Sequence, residues 1–323
     1  ALGAYRLAVG LAGLEILALV GLALAPSALV AAPLFVLHQA LAPLLLLTID
    51  VFTEQRIGKD ERITGSARGA LLVVGSAGVA LAALAAGMLL SGTERFSLVY
   101  LASALCMIAF LLVARKIGRV FRDPPYANIA AFNAFWRFWT VRDLRFVFLS
   151  RLLLQMFFAW MVIYVPLYLV TVVGFGWGQV GLLLFVALIA FVATEYPIGL
   201  IADRWIGEKE MMAAGFIVLA VTTAYIGLLS APLLVPWMIT LFLSRVGASL
   251  VEATTESYFF KHATDMDANI IGFFRMTAPA AYLVGALIGS VLLLYAPLNY
   301  LFVFFGLLML PGIAFALLLK DTR

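Results

Sequence analysis

Charge is what this chain has least of. Asp, Glu, Lys and Arg make up 12% of 323 residues, 65% are hydrophobic, and mean hydropathy is +1.12, whereas a soluble domain is about a quarter charged and about half apolar. So little charge excludes a water-soluble globule. One cysteine, Cys106, excludes an internal disulfide; inside the apolar run from 96 to 113 its expected role is packing. Two histidines, His38 and His262, with no Cys/His cluster at metal-ligand spacing, leave no expectation of a zinc or haem site, and neither metal nor cofactor is expected. There is no Gly-x4-Gly-Lys-Ser/Thr phosphate loop, His-Glu-x2-His or Gly-x-Ser-x-Gly, so neither ATP-driven pumping nor an intramembrane enzyme is the expected reading. No basic segment and small-residue cleavage site precede the first apolar stretch, which is therefore expected to be a membrane span and not a signal peptide.

What is present is a series of apolar runs. A hydrocarbon core of about 30 Å takes roughly 20 helical residues to cross, and runs of that order lie at 4 to 25, 28 to 53, 67 to 91, 96 to 116, 146 to 170, 178 to 202, 210 to 230, 233 to 260, 269 to 295 and 298 to 319. The expected fold is an all-α polytopic membrane protein of about ten spans, four before a central loop and six after it. An even number leaves both ends on one side. Basic residues identify that side as cytoplasmic: Arg56, Lys59, Arg62 and Arg68, the stretch Arg115 to Arg145, Arg204 and Lys209, Lys261 and Arg275, Lys320 and Arg323 all fall there, and only Arg95 lies opposite.

Three parts are expected: a first half over 1–116, a connection over 117–145 and a second half over 146–323. The connection is Arg-rich and then aromatic, with Phe132, Phe135, Trp136 and Trp139 at helical spacing, which predicts an amphipathic segment along the cytoplasmic interface.

Between the sixth and seventh runs lies Gly199-Leu-Ile-Ala-Asp203-Arg204-Trp-Ile-Gly207-Glu208-Lys209. A charged, Gly-rich hairpin between two apolar segments belongs at the aqueous face, because hydrocarbon offers its backbone no partners. There is also an internal repeat. Asp50-x3-Glu54 and Glu252-x3-Glu256 both end a span on the cytoplasmic side, and each is followed by Gly-x2-Arg, at Gly65 to Arg68 and at Gly272 to Arg275. The hairpin closely resembles the cytoplasmic loop signature of the major facilitator superfamily, and the repeat resembles the two six-helix halves of such a transporter. Shifting the hairpin back by the repeat offset places its first copy at or before Ala1, so two helices of the first half are expected to be missing; a true ten-helix chain is the alternative.

The resemblance implies a secondary active transporter that moves a small solute across the cytoplasmic membrane by alternating access, as a monomer, with a bilayer but no nucleic acid as partner. A transporter-like sensor that binds without moving its solute is the alternative. It also implies a cytoplasmic gate of Asp50, Glu54, Arg68, Asp203, Arg204, Glu252, Glu256 and Arg275, in which Glu54 engages Arg275 and Glu256 engages Arg68 across the halves; solvated loop charge is the plainer reading. The helices corresponding to the second, fifth and eighth runs line the central cavity in the superfamily, which makes His38, Gln155 and Arg245 candidates there. The third run, dense in Gly, Ala and Ser, lacks the Gly-Pro pair of many superfamily antiporters, which weighs against drug efflux.

Ionisable groups deep in apolar spans are functional candidates by default. Glu15 and His38 lie at similar distances either side of the turn near Pro26 and Ser27, so they are expected to share a depth. A carboxylate facing an imidazole stabilises the charged pair, as a proton site needs; a satisfied structural hydrogen bond is the equal alternative. Arg245, half-way along the eighth run and in register with Ser249 and Glu252, suits an anionic substrate group or a buried pair. The fifth run has two faces, Arg151 with Gln155 and Trp160 with Tyr164 and Tyr168, of which only one can line a cavity.

Overall fold

The computed structural model describes residues 4–57, 61–93, 95–118, 136, 138–204, 207–262 and 268–320. Among them there are only helices. These are α1 (Ala4–Leu24), α2 (Ala28–Ile57), α3 (Glu61–Leu90), α4 (Phe96–Gly118), α5 (Arg142–Tyr168), α6 (Trp177–Arg204), α7 (Glu208–Leu228), α8 (Leu234–His262), α9 (Ala268–Arg275), α10 (Thr277–Leu292) and α11 (Leu298–Leu317). Ten spans among the described residues are long and apolar enough to cross a bilayer, the ninth running from α9 into α10. Many large side chains point outward, Leu17, Leu105, Val221 and Leu294 among them, as they must where the solvent is lipid. Two departures from the expected spans have local causes. The ninth breaks at Met276 because Pro279 has no N–H to give the carbonyl of Arg275, where α9 ends. The fifth continues past Tyr168 into a wide π turn, Leu169–Val173, closed by Gly174 at φ +85°, a left-handed conformation that suits glycine.

The chain forms two compact units, Ala1–Leu71 with Met88–Ala127, and Leu72–Gly87 with Asn128–Arg323. In the first, α1 packs against α2 and α4 through small residues, Ala8 and Ala12, that are fully buried and allow close approach of the backbones.

In the second unit α5 is central, packed against α8, α10 and α11, while α7 packs against α8 and α11, and α6 against α8. Trp160, Tyr164 and Tyr168 occupy successive turns of one face of α5 and are buried. Trp160 donates its indole N–H to the Gly285 carbonyl at 3.0 Å and Tyr164 its hydroxyl to that of Ala286 at 3.0 Å, while the indole stacks on Phe305 with centroids 3.7 Å apart. Gly285 and Gly289, one turn apart on α10, leave the groove into which the two rings fit. Of the two faces of α5, the aromatic one is therefore internal packing. On α11, a Cβ at Gly306 would lie 2.6 Å from the Ala220 carbonyl oxygen and 2.7 Å from the Ala224 nitrogen, so α7 and α11 touch backbone to backbone. Gly87 of α3 serves similarly: a Cβ there would stand 2.6 Å from the Cα of Gly181.

Gly306→Val forces two backbones apart and is expected to cost about 1–3 kcal/mol, read as a lower unfolding temperature in detergent. Gly10→Ala, where nothing lies within 4 Å, serves as control. Equal unfolding temperatures for wild type and Gly306→Val would refute this packing.

Candidate functional site

Near the start of α5 in the second unit, Arg151 reaches α8. Its Nη1 lies 3.5 Å from Oε1 of Glu252 and its Nη2 3.1 Å from Oε1 of Glu256. The acids are four residues apart and so share a face of α8, which lets one planar guanidinium serve both. The guanidinium also lies over the ring of Phe274, 5.5 Å from its centroid, with 12% of the side chain exposed against 28% and 32% for the acids. The expected partner of Glu256 was Arg68; here Glu256 holds Arg151, in its own half. Arg275 is exposed at the end of α9. Asp50, Glu54, Arg68, Gly199, Asp203 and Arg204 have side chains or positions outside the described residues.

In the charged hairpin, Gly207 has φ +80° and ψ 153°, a region essentially reserved for glycine, and a Cβ there would meet the Glu210 carboxylate at 2.8 Å. Glu208 next to it is 2% exposed and accepts a hydrogen bond from the Ser257 hydroxyl at 3.2 Å, tying the start of α7 to α8. Lys209 lies 3.6 Å from Glu210. Sequence reasoning assigned no role to Glu208; its place in the first turn of a helix, where an anion is favoured, was the available signal. Phe138 was missed as well. It is buried against Phe148, Phe259 and Phe273, whereas Trp136 and Trp139 are half exposed; the rest of the expected amphipathic segment lies outside the described residues.

Two deep positions carry charge. In the first unit, His38 Nδ1 and Glu15 Oε1 are hydrogen-bonded, at a shared depth set by their distances from the turn at Ser27. Glu15 is 2% exposed, and its Oε2 is buried with no hydrogen-bond partner in the protein. In the second unit, Arg245 is 4% exposed. Its guanidinium carbon sits 5.3 Å from the ring centroid of Phe157 on α5, Tyr282 on α10 is its electrostatic neighbour, and Nη1 is buried without a partner. One turn on, the Ser249 hydroxyl lies 2.9 Å from that of Thr194 on α6. Gln155 is buried on α5, one turn from Arg151 and about 200° around the helix from Phe157.

The sequence profile described as Major Facilitator Superfamily matches residues 147–323, from the first turns of α5 through α11. The chain belongs to the major facilitator superfamily. It is thus a multi-pass helical membrane protein of a family of transporters. No curated protein matches the chain as a relative.

The Arg151 clasp is tested by a double-mutant cycle. Arg151→Gln and Glu256→Gln are expected to show a coupling of about 1 kcal/mol in unfolding free energy, smaller at high salt because the pair is partly exposed. Strict additivity at low salt would show that the contact contributes nothing.

Proposed function

We propose that this superfamily member is a secondary active transporter that carries a small solute across the cytoplasmic membrane by alternating access, with both ends of the chain cytoplasmic. The observation that carries the coupling part of this reading is the hydrogen-bonded pair of Glu15 and His38, placed about half-way along two apolar spans. A pair of a buried carboxylate and an imidazole holds or releases one proton with a small change in geometry, and Glu15 keeps a second oxygen without a protein partner through which the proton can pass on. The moving bodies in this reading are the halves 1–116 and 146–323, joined by 117–145, and the monomer is the working unit.

The gate follows from the acids. Glu252 and Glu256 share Arg151 in the present conformation; in the proposed cycle Arg68 of the first Gly-x2-Arg motif competes with Arg151 for Glu256, and Arg275 of the second engages Glu54, with Asp50, Asp203 and Arg204 completing the cluster. Exchange of partners biases a two-state equilibrium only by the difference between the two sets of contacts, so the gate needs neither set to be strong.

The test is flux in proteoliposomes holding the full chain, with an imposed pH gradient and a solute panel. Solute-dependent proton movement is expected, and His38→Asn is expected to lower it at least about tenfold. Unchanged proton-coupled uptake in that variant excludes the relay. If no solute moves while binding is retained, the protein is a sensor.

A further inference from the structure

Arg245 lies eleven residues into α8 from its outer end at Leu234, about 16 Å at 1.5 Å per residue, and so near the middle of a hydrocarbon core of about 30 Å. Long cationic side chains in spans escape by extending to the interface. This one does not: it is 4% exposed, with its guanidinium carbon 5.3 Å from the Phe157 centroid. Nor does its own half offer an acid. From residue 146 onward every Asp and Glu lies within 195–210 or 252–267, or at Asp321, all at cytoplasmic helix ends or beyond. The nearest of these along α8, Glu252, is two turns away and turned to Arg151. The charge is therefore held by an aromatic face, with Nη1 left without a partner.

We propose that Arg245 and Phe157 form the anion-binding centre of the solute site, and that the solute is a small monocarboxylate. This rests on the transporter reading and gives it a substrate class. The chemistry is set by three features. A guanidinium is a planar fork that matches a carboxylate, and its Nη1 donors are unused. The charge is single: the only other Arg or Lys in the described spans of this unit away from the helix ends is Arg151, engaged with Glu252 and Glu256, so one negative charge neutralises the site and a dianion leaves a surplus in a medium that penalises it. The ring of Phe157 presents an apolar wall that suits a hydrocarbon or aromatic body behind the carboxylate. A monocarboxylate that travels with one proton crosses as a neutral pair, the stoichiometry that a single Glu15–His38 site supplies.

The experiment measures binding to the purified full chain in lipid nanodiscs by thermal shift and titration calorimetry, without any gradient. Probes are propionate and benzoate, with propionamide, propylamine and succinate for comparison. Propionate or benzoate is expected to raise the unfolding temperature saturably, the amide and amine not at all, and succinate to bind at least about tenfold more weakly, roughly the effect of one uncompensated charge. Arg245→Gln, which removes the charge and keeps a planar amide, is expected to abolish the shift. Arg245→Lys keeps the charge but not the fork and is expected to weaken it about tenfold; should the Gln variant fail to fold, this variant carries the test. Absence of monocarboxylate binding to the wild type, equal binding of the amide or of succinate, or wild-type affinity in either variant overturns the proposal. The two readings fail separately. Propionate binding that depends on Arg245 without any flux removes transport and leaves the site, whereas flux of other solutes with no monocarboxylate binding removes the site and leaves transport.

Discussion

Hydrocarbon offers no hydrogen-bond partner, and the rest of this molecule follows from that. Each backbone N–H and C=O must be satisfied within its own segment, so every described segment long enough to cross is helical. Charges are driven to the helix ends, where most of the chain's Lys, Arg, Asp and Glu lie. The few that stay inside must be compensated locally, since a charged side chain at mid-span costs on the order of 3 kcal/mol even with snorkelling and water defects. Two forms of compensation occur here. Glu15 and His38 answer each other; Arg245 lies over an aromatic face and remains short of partners.

The same scarcity of polar partners explains how the second unit holds together. Lipid removes the hydrophobic advantage of burying apolar residues between helices, leaving packing and interhelical hydrogen bonds. The aromatic stripe on α5 uses both: rings pressed into a groove of glycines, and their N–H and O–H given to carbonyls of α10. Those carbonyls already accept within their own helix, so they supply a second lone pair and no backbone bond is lost. Along α7 the absence of side chains at Gly215, Gly227 and the facing Gly306 does the equivalent work by letting backbones meet.

Much of this was legible in the chain because the membrane imposes a length. Twenty apolar residues between charged turns cannot be mistaken for a strand, and positions equidistant from a tight turn must lie level, which is why Glu15 and His38 could be paired from numbering alone. The break at Met276 was legible in principle from Pro279. What could not be read was rotation. Whether Arg151 faces α8 or a cavity depends on how α5 is turned about its axis, and that is decided by the fit of Trp160 and Tyr164 against α10, far along the chain. The burial of Phe138 in place of its more conspicuous tryptophan neighbours likewise depends on rings from α5, α8 and α9 that come together only in three dimensions.

The Arg151 clasp also bears on speed. A carboxylate stripped of its only cation in a half-dry setting would stand bare at the top of an activation barrier, and the exchange would be slow. In the exchange proposed above, Arg151 would keep Glu252 while an incoming cation took Glu256, so that no step would leave the whole pair uncompensated. Such an exchange would then be limited by side-chain rotation in a partly buried setting and not by the loss of charge compensation.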